Sequence, residues 1–199
     1  MFGDVKEIEA VLLALAEQLE AVGVRRLEIV VCGGAALNIL GFVKRTTKDV
    51  DIMAFVDESS NGITVLTKKN PLKPSLDIAS KRVQEDFNLP DNWINTGPAS
   101  VVDFGLPQGL MDRAQTRVYG KNLIIHFLSR YDQIHFKLYA AVDQSGGRHL
   151  DDLLKLKPSS EEIEAASRWS MTHDVSEGYK EVLKYFLNKI GFQNVTDKL

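Results

Sequence analysis

One cysteine, Cys32, stands in the whole chain, so no disulfide can close within it. That usage suits a reducing compartment. No apolar run approaches the ~20 residues a membrane-spanning helix needs. The N-terminal segment carries Glu7, Glu9, Glu17 and Glu20 and lacks the basic and apolar regions of a signal peptide. A cytoplasmic protein without membrane contact is therefore expected. The four histidines and the lone cysteine show no zinc spacing, and there is no internal repeat or low-complexity linker. Excess positive charge is missing too: 24 Lys and Arg against 27 Asp and Glu leave a net charge of −3. No global field draws a polyanion, and any RNA contact must come from a local patch.

What is present is an ordinary globular composition, 44% hydrophobic and 26% charged over 199 residues. This is enough for an α/β core with a helical appendage. Ile8, Val11, Leu12, Leu15, Leu19 and Val22 recur at helical spacing within 5–22, ahead of Gly23. Leu27 to Val31 reads as a buried strand, 35–40 as a short helix ended by Gly41, and 49–56 as a second strand. Residues 61–67 read as a further strand or extended edge. A helix is expected over 75–88, with Ser75 as N-cap and Leu76, Ala79, Val83 and Phe87 on one face. The stretch 89–109, rich in Pro, Gly and Asn, is the least regular. Residues 115–119 and 121–128 read as paired strands around Gly120, and helices follow over about 131–143, 148–155, 159–172 and 174–190. The expected fold class is α/β (α+β), a mixed sheet flanked by helices with a C-terminal helical region. The expected domains are a core over 1–129 and helices over 130–199.

The chemistry concentrates in Val31-Cys32-Gly33-Gly34-Ala35-Ala36-Leu37 and Arg45-Thr46-Thr47-Lys48-Asp49-Val50-Asp51-Ile52. A strand delivers the chain to two glycines, whose missing side chains let a ligand approach the backbone, and a helix N-terminus follows that suits phosphate. Residues two apart on a strand share a face. Asp49 and Asp51 therefore point one way, with Val50, Ile52, Ala54 and Val56 turned into the core. Two adjacent carboxylates repel, and a hard divalent cation such as Mg²⁺ (or Mn²⁺) relieves the conflict while taking substrate phosphates as further ligands. Solvated aspartates at a strand's beginning are the plain alternative. Gly34 precedes Asp49 by 15 residues, which brings the turn beside the acidic strand.

These residues resemble the nucleotidyltransferase superfamily (the DNA polymerase beta-like fold), whose pattern is apolar-Gly-Gly, a short helix, then Asp-apolar-Asp. Gly33, Gly34, Ala36, Leu37, Arg45, Thr47, Asp49 and Asp51 match in particular the bacterial branch with Gly-Gly-x-Ala-Leu and Arg-x-Thr-x-Asp-x-Asp. That branch holds minimal nucleotidyltransferases and the toxin components of toxin–antitoxin and defence systems. Downstream, Phe136 to Ala141 and Arg148 to Leu153 are similar to its Lys-Leu-x-Ala and Asp-Leu elements. Lys137 lies among Ile134, Ala140 and Ala141, so its ammonium either meets a carboxylate or triphosphate or snorkels to solvent. Asp152 is favoured over Asp151 by register with the family.

The resemblance implies transfer of a nucleoside monophosphate from an NTP to an acceptor hydroxyl on an RNA end such as tRNA, a protein or a small molecule. Asp49 and Asp51 would hold Mg²⁺. Gly33, Gly34, Arg45 and Thr47 would bind the nucleotide, Lys137 would neutralise the triphosphate, and Asp152 would orient Lys137 or act as base. The third carboxylate of polymerase-like members is not visible: the strand 122–129 holds no acid, and Asp103 lacks a strand register. A catalytically silent nucleotide-binding module, or a protein that binds a cognate partner through its C-terminal helices, are the alternatives. Of the remaining conspicuous residues, His126 reads as a satisfied core histidine, Cys32 as a buried small residue, and Trp93 and Trp169 as core anchors.

Overall fold

The computed structural model describes residues 1–58, 64–69, 71–144 and 146–199. The order of elements is α1 (Val5–Ala21), β1 (Leu27–Cys32), α2 (Gly33–Ile39), β2 (Val50–Glu58), β3 (Thr64–Thr67), α3 (Pro74–Phe87) and β4 (Ile94–Asn95). A 3₁₀ segment (Gly97–Phe104), α4 (Leu110–Arg113), β5 (Gln115–Tyr119) and β6 (Leu123–Phe127) follow. Then come α5 (Arg130–Asp143), α6 (Gly147–Lys155), α7 (Ser160–His173), α8 (Glu177–Lys189) and α9 (Gln193–Thr196). The chain separates into two compact units, one of residues 1–106 and 111–128, the other of 107–110 and 129–199. No described helix is long and apolar enough to cross a membrane.

The first unit is a mixed sheet ordered β3-β2-β1-β6-β5, with β4 added to β2. β1 runs antiparallel to β2 and parallel to β6, and β5 and β6 form a hairpin turned by Gly120 at φ +58°. Its core takes Ile8, Leu12, Leu15 and Leu19 from α1, Ile29 and Val31 from β1, and Leu76, Ala79 and Val83 from α3. The α1 periodicity thus serves a real packing face, and Asp4 caps that helix by accepting the Glu7 N–H at 3.0 Å.

Several local expectations change. Ser75 is not the N-cap of α3: Lys73 occupies that place without a side-chain bond, and Pro74 supplies the preset φ of the first turn. Phe87 is exposed although Leu76, Ala79 and Val83 are fully buried. β2 is not one-sided, because Met53 and Phe55 are buried as completely as Ile52 and Ala54, while Val56 is only half-buried. A central strand covered on both faces loses the polar alternation. The strand expected over 61–67 is seen as β3 from Thr64; 61–63 lie outside the described residues. The irregular stretch 89–109 holds β4 and the 3₁₀ segment.

The second unit is helical. Ser129, Ser159 and Ser176 cap α5, α7 and α8, and Ser159 with Glu162 forms a reciprocal capping box. α8 therefore begins at Glu177, not at 174, and the short α9 is an addition to the expected helices.

Candidate functional site

The site in the first unit is built where β1 ends. Cys32 lies opposite Asp51 across the antiparallel β1–β2 pair, and the register shifts between Val30 and Val31. The chain leaves β1 through Gly33, whose φ of +69° is open to glycine at little cost. The pairing sets this turn directly against the acid. A Cβ placed on Gly33 would stand 2.3 Å from Asp51 Oδ2, and one on Gly34 would stand 2.4 Å from Thr47 Oγ1 and 3.0 Å from Arg45 Nη2. Four of the expected nucleotide-binding residues, Gly33, Gly34, Arg45 and Thr47, are thus gathered with Asp51.

Two asparagines that pattern reading did not single out hold this arrangement. Asn38, buried in α2, donates to the Gly34 carbonyl at 2.9 Å and accepts the Arg45 N–H at 3.1 Å. It ties the glycine turn to the loop carrying Arg45, whose Nη1 donates to the Thr46 carbonyl at 2.9 Å. Asn95 faces Asp51 across the parallel β2–β4 pair, and its Nδ2 donates to Asp51 Oδ1 at 3.3 Å. The Asn95 Oδ1 accepts the Gly97 N–H at 2.8 Å, which fixes the amide's orientation. The loop itself is pinned by Phe2, which exchanges two backbone hydrogen bonds with Thr47 at 2.7 and 3.1 Å.

Asp49 immediately precedes β2 and Asp51 is its second residue; both are half-buried. Thr47 Oγ1 donates to the Asp49 carbonyl at 3.5 Å. Among the described residues, no group of three His, Cys, Asp or Glu side chains could hold a metal ion. The Asp51 carboxylate beside a glycine turn still suits Mg²⁺, which takes one or two carboxylates and completes its shell with substrate phosphates and water. The donor set fits that use and no closed protein cage. Asp103 is ion-paired to Lys68 at the surface.

In the second unit, the Lys137 Nζ meets Asp152 Oδ2 at 2.9 Å, with side chains 6% and 0% exposed. The lysine therefore does not snorkel. Burying two charges is tolerable when each neutralises the other, and α5 and α6 bring them together. Asp151, by contrast, is exposed.

Of the residues read as structural, His126 is satisfied on both nitrogens, by Thr116 Oγ1 at 2.8 Å and Glu28 Oε1 at 2.6 Å. Burial works to raise the Glu28 carboxyl pKa, but hydrogen bonds from Arg26 and His126 outweigh it and hold the carboxyl below its ordinary range. Cys32 is buried and in no disulfide. Trp93 is a core anchor whose Nε1 donates to the Ser80 carbonyl at 3.0 Å. Trp169 is less enclosed than expected: it is half-buried in a ring cluster with His135, Phe136, Tyr139 and His173.

No curated protein matches the chain. No solved structure matches it either. Residues 10–146, well over half of the chain and the whole of the glycine–aspartate site, match the family described as nucleotidyltransferase of unknown function (DUF6036), and the protein belongs to that family.

Proposed function

We propose that the protein moves a nucleoside monophosphate from an NTP to an acceptor hydroxyl, in a reaction dependent on Mg²⁺ or Mn²⁺. The observation that carries this reading is the close approach of Gly33 to Asp51, which puts a side-chain-free backbone turn and a carboxylate at one point. Gly33 and Gly34 would seat the β and γ phosphates, with Arg45 and Thr47 at the same turn; the planar guanidinium of Arg45 matches phosphate oxygens. Asp49 and Asp51 would hold the cation, which when bound neutralises phosphate charge. Asn95 keeps Asp51 oriented, and Asn38 keeps the turn and Arg45 in register. Lys137 and Asp152, the expected catalytic pair of the helical unit, are held by their own ion pair. The acceptor hydroxyl attacks the α-phosphorus, the bond to the bridging oxygen breaks, and pyrophosphate leaves. A bacterial toxin–antitoxin or defence system with a cognate partner protein is a setting that the motif's branch supports, and the cytoplasm is the compartment that a chain with one cysteine suits.

One observation favours a second reading. No third acid joins Asp49 and Asp51 among the described residues, which suits a module that binds nucleotide without turnover. α-Phosphate label transfer separates the two. Purified protein, Mg²⁺ and each labelled NTP are incubated with bulk tRNA or a protein extract, beside the Asp49→Ala/Asp51→Ala variant. Acid-dependent label on an acceptor supports the transferase. Acid-dependent NTP binding without label supports the silent module. Absence of both defeats each reading.

A further inference from the structure

Asp51 has a neighbour on each side of β2. Toward β1, its Oδ2 meets the glycine turn; toward β4, its Oδ1 accepts from Asn95. Beyond Asn95 opens a cavity of about 750 Å³. Its apolar walls include Leu72, Pro74 and Ile94, and its polar groups include Asp77, Asn92 and Thr96. Asn95 belongs to the same wall, and besides Asp51 its Nδ2 reaches the Asn92 carbonyl at 3.5 Å. One side chain therefore joins the cavity to the acid.

In phosphoryl transfer the attacking and leaving oxygens lie roughly in line across phosphorus. With the departing pyrophosphate on the glycine turn, at the β1 side of Asp51, the attacking hydroxyl would come from the β4 side, where Asn95 lines this cavity. We propose that the cavity receives the acceptor, and that the acceptor is a small hydroxyl-bearing molecule, neutral or cationic. This rests on the transferase reading above. An open volume lined in near-equal parts by apolar and polar surface offers a small molecule both packing and hydrogen bonds. Its described lining contains no lysine or arginine, and its one charged group, Asp77, is a carboxylate whose outward partner is Lys81 at 2.7 Å. A phosphate-bearing strand would find no cation there to meet its backbone. In the reaction, the acceptor oxygen forms the new bond to the α-phosphorus, and pyrophosphate departs with the electron pair of the broken bond. The hydroxyl proton passes to water in the open cavity.

The test uses the full chain with Mg²⁺, α-labelled NTPs and three acceptor fractions from one cell extract: a low-mass filtrate, bulk tRNA and total protein. The variants are Thr96→Trp, which fills the cavity from a half-buried position, and Asp77→Lys, which reverses its charge. Label is expected on a low-mass product. Acceptor kcat/KM should fall by roughly an order of magnitude or more in Thr96→Trp, with the NTP dissociation constant and the melting temperature unchanged. Asp77→Lys should weaken the acceptor in the same direction, and it carries the test if the tryptophan variant fails to fold. Label confined to tRNA or protein overturns the proposal. So does a full-rate Thr96→Trp enzyme, or a Thr96→Trp variant that loses NTP affinity, which would give the cavity to the nucleotide's own base. No Asp51-dependent transfer to any fraction defeats the transferase reading itself, and the cavity assignment with it.

Discussion

The two charged centres of the molecule are built on opposite principles. In the helical unit, Lys137 and Asp152 are buried and satisfy each other at 2.9 Å. In the sheet unit, Asp49 and Asp51 carry the same sign, lie two residues apart and are half-buried, and Asp51 stands against the glycine turn. The buried pair is closed, and its members are needed chiefly by one another. Asp51 lies against the glycine turn and accepts from Asn95, an arrangement that suits a ligand. A buried pair whose charges cancel reports on stability, whereas a carboxylate held beside a glycine turn points to a ligand.

That contrast breaks most visibly at Asp152. Asp152→Ala leaves a buried ammonium without its carboxylate, so unfolding free energy should drop by about 3–5 kcal/mol. Replacing both partners, Lys137→Met with Asp152→Leu, should recover most of the loss. Denaturant melts check both, and a double variant as unstable as the single one would contradict the closed-pair account. Asp49→Asn should do the reverse in chelator, leaving the melting temperature unchanged or higher because it removes a repulsion.

Gly33→Ala sharpens the other side. The new Cβ collides with the Asp51 carboxylate and must adopt φ +69°, so a loss of ~2 kcal/mol is expected. Mg²⁺-dependent NTP affinity should fall with it. Retained affinity would separate the turn from the site.

The smallest effect is at Asp57, a surface carboxylate of the same β2 with no part in the site. Burial works to raise its pKa, but Lys69 at 2.8 Å, Thr67 at 2.5 Å and Lys73 at 3.1 Å hold it down to about 2. A depressed carboxylate contributes stability above its unfolded pKa and loses it as pH falls toward the folded value. Asp57→Asn should therefore cost about 1 kcal/mol at pH 7, discounted for solvent screening. The gap should close between about pH 4 and 2. A pH-independent difference in melting would show that the ion pairs contribute nothing.

The glycine turn and the strand that carries Asp51 were legible because both obey short-range rules: a turn needs its glycines, and a β-branched apolar run reads as a strand, although Asp49 lies one residue outside that strand. The longer helices of both units were legible in the sequence; the four-residue α4 and α9 were not. Asn38 and Asn95 were not, since each acts through a partner distant in sequence. Asn95 depends on a two-residue strand inside a stretch rich in Pro, Gly and Asn that offers no period to read. Burial of Met53 and Phe55 was hidden for a related reason: which faces of β2 are covered is decided by elements packed from elsewhere. Ser75 failed as a cap because Pro74, one residue earlier, already satisfied the first helical position.

The most direct measurement is the dissociation constant of an NTP with and without Mg²⁺, for the wild type and for Asp51→Asn, with melting temperature followed in parallel. The account predicts Mg²⁺-dependent binding in the wild type and its loss in Asp51→Asn, with both proteins folded. Equal Mg²⁺-dependent binding by both proteins would contradict the placement of the site at Asp51.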